Sequence, residues 1–369
     1  MQEHFPTGRP VLVLAPMQDV TDLPFWRLLH HYGDPDIYFT EYLRVHPVSR
    51  PEKPILRCIE ANPSDKPVIA QMIGQDIPAL VRTARELARH RIAAVDLNLG
   101  CPAPIVCKKD AGGGLLRNPE KIDAILGALR TSLTDTHFTV KTRLGFDSIA
   151  EFDRVLEVFR RHAIDLLTVH GRTVREMYRA AVHYDCIADA VRALPCPVIA
   201  NGNVLSTRLA RETIRRTGAA GLMIGRGCIR NPWIFRQIKE AYANADAAGA
   251  TNSPEWEAAF APDFRPALRD VLGYLERLWE ETSLPGRPPE RHVAKMKKYL
   301  NFIAQGVGGP EQPLLKQIRR APDADTFWRV AREHLDSGEP FDPEPPTAAL
   351  IDERSQRAVQ AEREAALAK

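Results

Sequence analysis

One cysteine of the chain lies in a turn suited to holding its thiol rigidly. Cys101 stands between Gly100 and Pro102, directly after an apolar run at residues 93–99. An unperturbed cysteine thiol has a pKa of about 8.5 and is mostly protonated at neutral pH. Such a thiol can act as a general acid, or as a nucleophile where its surroundings lower its pKa. The residues alone leave both roles open.

Lys141 and Gln71 point to flavin chemistry. Each interrupts an apolar run, Lys141 at 139–144 and Gln71 at 68–73. A reduced flavin carries negative charge near N1, where a fixed ammonium favours the reduced form. An amide can both donate to and accept from the pyrimidine edge of the flavin ring. A Schiff-base lysine is the competing interpretation, but nothing else nearby requires an imine mechanism.

Glycines after the last two apolar runs predict a phosphate site. Asn201-Gly202-Asn203 follows the seventh run, and Gly225-Arg226-Gly227 follows the eighth. Glycine permits close backbone approach, and loops at these places in a barrel often bind phosphate. No Gly-x-Gly-x-x-Gly follows the first run, which disfavours a dinucleotide-binding Rossmann fold. A mononucleotide phosphate fits this pattern better.

These residues belong to a regular alternation of predicted strands and helices. The eight apolar runs cover residues 11–17, 37–43, 68–73, 93–99, 139–144, 166–170, 197–200 and 221–224. Amphipathic stretches with helical spacing separate most of them, as at 76–90, 119–133, 150–162 and 206–217. Alternation implies a parallel sheet, and eight units in about 230 residues fit an α/β fold of the (β/α)8 TIM-barrel type. In such a barrel, chemistry sits at the carboxyl ends of the strands.

The chain is predicted to divide into a catalytic barrel, residues 1–243, and a smaller helical domain, residues 263–336. Between them, residues 244–262 are rich in Ala, Asn, Gly and Pro and predict a linker. The expected helices of the second domain lie at 264–282, 290–305, 311–320 and 325–335. Residues 337–369, first Pro-rich and then rich in Ala, Glu and Arg, predict a disordered tail.

The composition is that of an ordinary globular protein. The chain is 44% hydrophobic and 26% charged, with a formal net charge of +3. No apolar run approaches the roughly 20 residues of a membrane helix, and the first residues lack a signal pattern, so we expect a cytoplasmic protein. The six cysteines include no Cys-x-x-Cys pair, so no metal site is expected.

Taken together, the motifs resemble those of the tRNA-dihydrouridine synthases over about residues 11–240. The matching segments are Ala15-Pro16-Met17, Thr40-Glu41, Gln71-Met72-Ile73-Gly74, Asp96-Leu97-Asn98-Leu99-Gly100-Cys101-Pro102, Gly112-Gly113-Gly114-Leu115-Leu116, Lys141-Thr142-Arg143-Leu144-Gly145, His170-Gly171-Arg172-Thr173, Ile199-Ala200-Asn201-Gly202 and Ile224-Gly225-Arg226-Gly227. Residues 40–44 and 291–305 are most similar to the bacterial synthase C group.

The resemblance implies a non-covalent FMN in the barrel. The residues implied to contact it are Pro16, Met17, Gln18, Gln71, Lys141, His170, Asn201, Gly202, Asn203, Gly225 and Arg226. Of these, Gln71 and Lys141 would lie at the ring edge. His170 would lie near the ribityl chain, and the residues from Asn201 onward would surround the phosphate.

The resemblance also implies a reaction. NADPH would be the reductant, and hydride would pass from flavin N5 to C6 of a uracil in tRNA. Cys101 would protonate C5, which makes it the implied catalytic residue. Asn98 and Arg143 would hold the target base, and Tyr178 would approach the tRNA. The similarity to the C group favours position 16 of the D-loop, and the family suggests a monomer.

A uridine inside folded tRNA is inaccessible, so such an enzyme would extrude the base and grip the RNA backbone elsewhere. Basic candidates for that grip are Arg44, Arg291, Lys295, Lys297 and Lys298. Arg291, Lys295 and Lys298 are spaced to share one helix face. The alternative for each is an ordinary solvated helix face.

Two positions depart from the family pattern. The family usually has an acid where this chain has Asn203, and usually has a Lys shortly after Cys-Pro, where this chain has Ala103-Pro104-Ile105. An Asn oxygen can still accept a hydrogen bond but lacks charge assistance. Lys108 and Lys109, a few residues on, are candidates to replace the missing lysine.

Two other functions remain as alternatives. A small-molecule FMN oxidoreductase, similar to dihydroorotate dehydrogenases, would have a closed active site and no helical appendage with basic clusters. A tRNA-binding protein with a vestigial flavin site is a different class. The presence of Cys101, Lys141 and His170 argues against that class.

Overall fold

The computed structural model describes residues 1–283, 286, 288–309, 311–342 and 344. Within these ranges, nine strands form one parallel sheet in the order β1-β9-β8-β7-β6-β5-β4-β2, with β3 also paired to β4. The strands are β1 (Val11–Leu14), β2 (Tyr38–Phe39), β3 (Leu43–Arg44), β4 (Val68–Ile73), β5 (Ala94–Leu99), β6 (His137–Arg143), β7 (Leu166–His170), β8 (Val198–Asn201) and β9 (Gly221–Ile224).

Contacts between β1 and the residue before β2 bring the ends of the sheet together. The Leu14 N–H donates to the Ile37 carbonyl at 3.0 Å, and the Ile37 N–H donates to the Leu12 carbonyl at 3.3 Å. Val13 and Ile37 form a parallel bridge. The sheet therefore curls into the predicted TIM barrel, and that prediction is confirmed.

The second predicted strand is interrupted. Residues 37–43 form two short strands, β2 and β3, because the chain leaves the ladder at Thr40. There the Thr40 hydroxyl accepts the Gln71 N–H at 3.0 Å, in place of a backbone partner. The interruption turns Glu41 and Tyr42 toward the mouth of the barrel.

The helices flank the barrel and then continue beyond it. Those described are α1 (Leu23–Tyr32), α2 (Lys53–Glu60), α3 (Ile77–Leu87), α4 (Pro104–Cys107), α5 (Pro119–Ser132), α6 (Phe152–Arg160), α7 (Tyr184–Ala193), α8 (Thr207–Thr217), α9 (Arg226–Arg230), α10 (Ile234–Ala248), α11 (Pro254–Ala259), α12 (Leu268–Thr282), α13 (Pro289–Ile303), α14 (Pro313–Arg320) and α15 (Ala324–Leu335). Ser206 caps α8, because its side chain accepts the Leu209 N–H.

Alternation along each strand separates two cores and positions the site. Leu12 and Leu14 belong to the large cluster shared with the helices, whereas Val11 and Val13 belong to a small separate cluster inside the barrel. Inward residues change from apolar to polar toward the carboxyl ends. The inward series are Ile69 and Gln71, Ala94 with Asp96 and Asn98, Thr139 with Lys141 and Arg143, Leu166 with Thr168 and His170, and Ile199 and Asn201. The apolar inward residues therefore fill the amino-terminal part of the barrel, and the polar inward residues line its opening at the carboxyl ends of the strands.

Helices α12–α15 occupy the region predicted to be helical, and they pack tightly on the barrel. The Tyr274 hydroxyl donates to the Ile229 carbonyl at 3.0 Å, and the Phe25 and Tyr299 rings stack with centroids 6.2 Å apart. The Arg230 Nη2 donates to the Gln305 carbonyl at 3.0 Å. These contacts fix α13 above the mouth of the barrel.

The predicted linker and tail are more ordered than their composition suggests. Residues 244–262 include the end of α10 and all of α11, because Trp256 is buried against Tyr242 with ring centroids 5.9 Å apart. The tail was predicted from residue 337, yet Phe341 is buried under the Arg230 guanidinium, 4.5 Å from the ring centroid. Residues 343 and 345–369 of the predicted tail lie outside the described residues.

Three further features bear on function. No helix within the described ranges is long and apolar enough to cross a membrane. No disulfide joins any of the six cysteines, all of which the structure describes. In the same part of the chain, no group of three or more His, Cys, Asp or Glu side chains is placed to hold a metal ion.

Candidate functional site

A cavity of about 560 Å³ opens at the carboxyl ends of the strands. Its volume is typical of a site for a small ligand or cofactor. The structure brings together in its lining most of the residues singled out from sequence. They are Pro16, Met17, Gln18, Asn98, Cys101, Lys141, Arg143, His170, Tyr178, Asn201, Gly202, Asn203, Gly225 and Arg226.

Gln71 lies one layer below the cavity. It is fully buried and does not line the cavity. Its Nε2 donates to Asp96 Oδ2 at 2.8 Å, and its Oε1 accepts from Asn98 Nδ2 at 2.8 Å. Its side-chain amide therefore contacts Asp96 and Asn98, and the predicted flavin contact stays a prediction.

The Cys101 turn is held from several sides. The Asn98 side-chain oxygen accepts the backbone N–H groups of Gly100 and Cys101, both at 2.9 Å. The Cys101 carbonyl accepts the Gly113 N–H at 3.1 Å. Cys101 itself is half-buried in the cavity lining. The predicted Gly-Cys-Pro turn thus presents its thiol to the cavity on a fixed backbone.

Arg143 braces two loops at the mouth. Its Nε donates to the Gly100 carbonyl at 2.9 Å, and its Nη1 donates to the carbonyls of Thr173 at 2.8 Å and Met177 at 2.6 Å. Its guanidinium also lies 5.1 Å from the Tyr178 ring centroid. Arg143 was predicted to hold the substrate base, and in this structure most of its donors hold the Cys101 turn and the 173–177 loop.

Tyr42 is a cavity residue that was not selected from sequence. Its hydroxyl has the Cys101 thiol as a neighbour, and burial, followed by that neighbour, raises the pKa of Tyr42 to about 12. The residue lies in the segment 40–44 that carries the family resemblance. The sequence did not indicate that Tyr42 lines the cavity. Its position depends on the interruption between β2 and β3, which directs its side chain toward the mouth of the barrel.

Several basic side chains line the cavity. Lys141, Arg143 and Arg226 line the cavity, and no Asp or Glu is found among its described lining residues. Burial and the nearby Arg143 lower the pKa of Lys141 to about 8. Burial and the nearby Arg226 lower the pKa of Arg172 to about 9. Because the described cavity lining contains Lys141, Arg143 and Arg226 and no carboxylate, it suits an anion.

Asn203 joins two of these arginines. Its Oδ1 accepts from Arg172 Nη2 and from Arg226 Nη2, both at 3.1 Å. Gly202 has φ of +131°, a conformation that other residues rarely adopt, and Asn203 follows at +52°. The turn after β8 therefore needs Gly-Asn for its backbone, and the Asn oxygen orders both guanidiniums without neutralising them. Arg172, which completes this cluster, was not among the selected residues.

His170 supplies a buried donor beside the same cluster. Burial and surrounding cations hold its pKa well below the usual range, so the ring is neutral. Arg172 Nη1 lies 3.4 Å from His170 Nε2, which makes Nε2 the acceptor and leaves the hydrogen on Nδ1. His170 Nδ1 has no hydrogen-bond partner in the described structure. Buried polar atoms normally have partners, so a ligand group is expected there.

These observations fit a phosphorylated, anionic cofactor such as FMN. The arginines and the Gly202-Asn203 turn suit a phosphate. Lys141 suits a group that carries negative charge when reduced. The Lys141 ammonium lies 3.5 Å from Asn201 Oδ1, and Asn201 Nδ2 donates to the Met223 carbonyl at 2.8 Å, so this pair is also oriented.

One wall of the cavity comes from the helical domain. Phe302, near the end of α13, lines the cavity together with Ile229 of α9 and Leu205. Sequence gave no signal for this, because the apolar pattern of α13 does not say which structure its face meets. The C-terminal helices are thus part of the site.

The basic residues predicted for tRNA differ in their surroundings. Lys295 is half-buried and pairs with Asp22 at 3.3 Å. Lys297 donates to the backbone carbonyls of Arg319 and Ala321. Arg291 and Lys298 are exposed, and the structure records no ion pair for either within the described residues. The predicted stripe is therefore interrupted at Lys295, whose ammonium joins α13 to the barrel.

Arg44 lies at the rim. Its side chain is exposed, 3.6 Å from a Glu52 oxygen and 5.6 Å from the Tyr42 ring centroid. Arg44 does not line the cavity, so it is placed to contact only something larger than the cavity holds.

Glu41 makes stability depend on pH. Its carboxylate accepts hydrogen bonds from Gln18 Nε2 and the Val20 N–H, both at 3.1 Å. Burial, followed by the charge of Asp22, raises the pKa of Glu41 to about 7. The folded state thus holds a proton that the unfolded chain releases near pH 4.3. This contribution is complete below about pH 4 and is lost as pH rises through about 7.

We therefore expect the free energy of unfolding of the wild type, relative to Glu41→Gln, to fall between about pH 4.5 and 8. Urea denaturation at a series of pH values measures it. Glu255→Gln, at an exposed position, is the matched control. The difference in free energy of unfolding between the wild type and this variant should not change with pH. A constant difference between wild type and Glu41→Gln would contradict the assignment.

Comparison with known proteins gives a consistent family. The family model described as dihydrouridine synthase (Dus) matches residues 13–280. A "tRNA-dihydrouridine synthase B" from Pseudomonas syringae pv. tomato is 32% identical over 324 residues, covering 83% of this chain and 95% of its own length. A "tRNA-dihydrouridine(16) synthase" from Haemophilus ducreyi is 30% identical over 320 residues, covering 84% and 90%. Because both groups match at similar identity, the predicted likeness to the synthase C group specifically is not supported.

A solved structure agrees on the fold. Histamine dehydrogenase from Rhizobium sp. 4-9 superposes with a TM-score of 0.52 at 12% identity, covering 89% of this chain and 62% of its own length. At that identity the likeness concerns the barrel architecture alone. The family match covers most of the chain, including every cavity residue except Phe302. This chain belongs to the dihydrouridine synthase family.

Proposed function

We propose that this protein reduces a uridine of tRNA to 5,6-dihydrouridine, using FMN and NADPH. The observation that carries the proposal is the cavity itself, in which a Cys101 thiol on a fixed turn faces a wall of cations without a carboxylate. A phosphorylated, redox-active anion suits that wall, and a base that needs a proton suits the thiol.

The cofactor would be held by the chain in two places. Arg226 and the Gly202-Asn203 turn would hold the phosphate, with the His170 Nδ1–H close by, and Arg172, buried behind the cavity lining, would orient Asn203. Lys141 and Asn201 would lie against the ring. Reduced by NADPH, the flavin would supply the hydride that adds to C6 of uracil.

The remaining chemistry belongs to protein side chains. Hydride addition at C6 builds negative charge at C5 and the C4 oxygen, so a proton must reach C5. Cys101 would give that proton from its turn, while Asn98 and Arg143 keep the turn in place. Tyr42 would support the thiolate left behind, because it lines the same cavity and Cys101 is among the groups that shift its pKa.

The target base would have to leave the tRNA to reach this cavity. Tyr178, half exposed at the mouth between Arg143 and Arg226, offers an aromatic face for RNA. Arg44 on the rim and Arg291 and Lys298 on α13 offer positive charge for the phosphates. We infer a monomer acting in the cytoplasm, where tRNA is the substrate. We propose position 16 of the D-loop as the target, because relatives about 30% identical include tRNA-dihydrouridine(16) synthases.

The proposal is tested with purified, FMN-loaded protein, NADPH and an unmodified tRNA transcript. Nucleoside analysis should show one new dihydrouridine per tRNA, and sequencing should locate it. Orotate and free uridine monophosphate are the control substrates. Turnover of a free pyrimidine without any tRNA product would favour the small-molecule oxidoreductase instead. Bound FMN without any turnover would also count against the proposal.

The exposed cations of α13 give a second expected result. Because each lost phosphate contact lowers the log–log salt slope of binding by about 0.7–0.9, Arg291→Glu and Lys298→Glu should each weaken tRNA binding and flatten its salt dependence. FMN content should not change, because neither residue lines the cavity.

Fluorescence or filter binding at several salt concentrations measures this effect. Arg85→Glu is the matched control, an exposed arginine in the last turn of α3, at the opposite end of the barrel. An unchanged slope in both α13 variants would place the RNA footprint elsewhere on the protein. Lys295→Glu is a poorer probe, because it also breaks the pair with Asp22.

A further inference from the structure

A chain of hydrogen bonds connects a fully buried carboxyl group to the Cys101 turn. Asp96 Oδ2 accepts from Gln71 Nε2 at 2.8 Å, and Gln71 Oε1 accepts from Asn98 Nδ2 at 2.8 Å. Asn98 Oδ1 then accepts the N–H groups of Gly100 and Cys101, both at 2.9 Å. Asp96 and Gln71 are wholly buried, so water cannot replace a missing link.

The direction of this chain is the same from both ends, because the backbone N–H groups of the turn only donate and an ionised carboxylate only accepts. A side-chain amide can present either its oxygen or its nitrogen to a neighbour, so Gln71 and Asn98 have no preferred orientation of their own. An ionised carboxylate only accepts hydrogen bonds. Burial raises the pKa of Asp96 to about 7, so the direction is enforced most strongly above that pH. Asp96 therefore requires Gln71 to turn its nitrogen inward and its oxygen toward Asn98, and that in turn requires Asn98 to turn its oxygen toward the Cys101 turn.

The opposite orientation of the Asn98 amide would place hydrogen-bond donors against donors. If Asn98 were flipped, its Nδ2 donor would face the backbone donors of Gly100 and Cys101, and the turn would lose two hydrogen bonds. The Arg143 contact to the Gly100 carbonyl and the Gly113 contact to the Cys101 carbonyl would remain. The backbone carbonyls of the turn would stay anchored while its N–H groups did not.

We propose that Asp96 is a positioning residue for Cys101, which acts through the amides of Gln71 and Asn98 to keep an oxygen facing the N–H groups of the turn. The proposal rests on the proposed function only in giving Cys101 its role as proton donor. The geometric part of it, that Asp96 holds the turn, stands by itself.

The second oxygen of Asp96 provides a matched control. Thr139 Oγ1 donates to Asp96 Oδ1 at 2.7 Å. Thr139→Val removes that bond and leaves Oδ2 facing Gln71, so it perturbs the same buried carboxyl without reversing the chain. Asp96→Asn can still turn its oxygen to Gln71 and its nitrogen to Thr139, so it keeps the direction. Asp96→Leu offers no acceptor and lets Gln71 turn.

Two measurements report on the conformation of the Cys101 turn. The first is the rate of Cys101 alkylation by iodoacetamide across pH, located by peptide mass analysis on the protein as purified. The second is single-turnover oxidation of NADPH-reduced enzyme by tRNA, with the rate of flavin reduction by NADPH as an internal control.

We expect Asp96→Leu to alkylate several-fold faster at Cys101, because a half-buried thiol on a loosened turn is more accessible. Its oxidation by tRNA should slow about 10- to 100-fold, as misplacement of a reacting group by about 1 Å does. The rate of oxidation by tRNA should fall by a larger factor than the rate of flavin reduction by NADPH, because Gln71 and Lys141 also lie near Asp96. Asp96→Asn and Thr139→Val should both remain close to wild type in alkylation rate and pH profile.

The outcomes separate the two proposals. Wild-type alkylation in a folded Asp96→Leu would overturn the positioning role, as would an Asp96→Asn variant as impaired as Asp96→Leu. If Asp96→Leu does not fold, Asp96→Val replaces it, and an alkylation rate equal to that of Thr139→Val overturns the inference. A wild-type protein that never reduces tRNA would overturn the proposed function, while the alkylation series would still decide the role of Asp96.

Discussion

We expect Cys101→Ala to lower dihydrouridine formation on tRNA by about 10²- to 10⁴-fold, the usual contribution of a positioned general acid. The reason is that carbanion character at C5 must be quenched by a proton delivered inside the cavity, and Cys101 presents a thiol there on a backbone anchored at both its N–H and its carbonyl. FMN content and the oxidation of NADPH by oxygen should stay near normal, because neither needs a proton at C5.

The serine variant sharpens this test. Cys101→Ser keeps a similar shape and a hydrogen-bonding group next to Tyr42, but a hydroxyl is a far weaker acid than a thiol. It should therefore be nearly as slow as alanine. Cys196→Ala is the matched control, since Cys196 precedes β8 at the other end of the barrel, and it should turn over normally.

Single-turnover oxidation of pre-reduced enzyme by tRNA makes the measurement direct. If Cys101→Ala is oxidised by tRNA at the wild-type rate, Cys101 is not the proton donor. A loss of flavin from Cys101→Ala would instead assign the cysteine to the architecture of the site.

The second large effect is expected at the phosphate end of the cavity. Arg226→Met should weaken FMN binding about 10- to 100-fold, because a hydrogen bond to a charged group contributes about 1.5–3 kcal/mol. Riboflavin, which lacks the phosphate, should bind wild type and variant almost equally. Isothermal titration with both ligands gives the comparison.

Asn203→Asp offers an independent check of the same idea. An aspartate there would accept from Arg172 and Arg226 as Asn203 does, and would also neutralise part of their charge. We expect a more stable apoprotein, because the carboxylate would add charge assistance to both hydrogen bonds, and we expect FMN binding to be retained, because the family usually has an acid at this position. Equal losses for FMN and riboflavin in Arg226→Met would mean that the phosphate lies away from Arg226.

These charges also bear on the alternatives considered at the outset. A binding protein with a vestigial flavin site would not require the Cys101 thiol to be held in a fixed turn in a cavity lined by cations. The small-molecule oxidoreductase is disfavoured by the family match over residues 13–280 and by relatives named as tRNA-dihydrouridine synthases.

The sequence by itself determined the barrel and the composition of its mouth. Strand periodicity fixes which residues point inward, so Lys141, His170 and Asn201 had to converge once eight strands alternated with helices. The sequence also indicated the turn at Gly100-Cys101-Pro102 and the close backbone approach at the glycines after β8 and β9, because Gly and Pro have characteristic backbone conformations.

Only the tertiary structure decided the roles of residues whose partners are distant in the chain. Tyr42 reaches Cys101 because the sheet is interrupted at Thr40, and Phe302 reaches the cavity because α13 packs against the barrel. Lys295 pairs with Asp22, 273 residues away, so a spacing that suggested an RNA-binding stripe produced an ion pair between domains. Periodicity specifies which face of an element a residue occupies, whereas the group that face meets depends on packing between elements, and local sequence does not encode it.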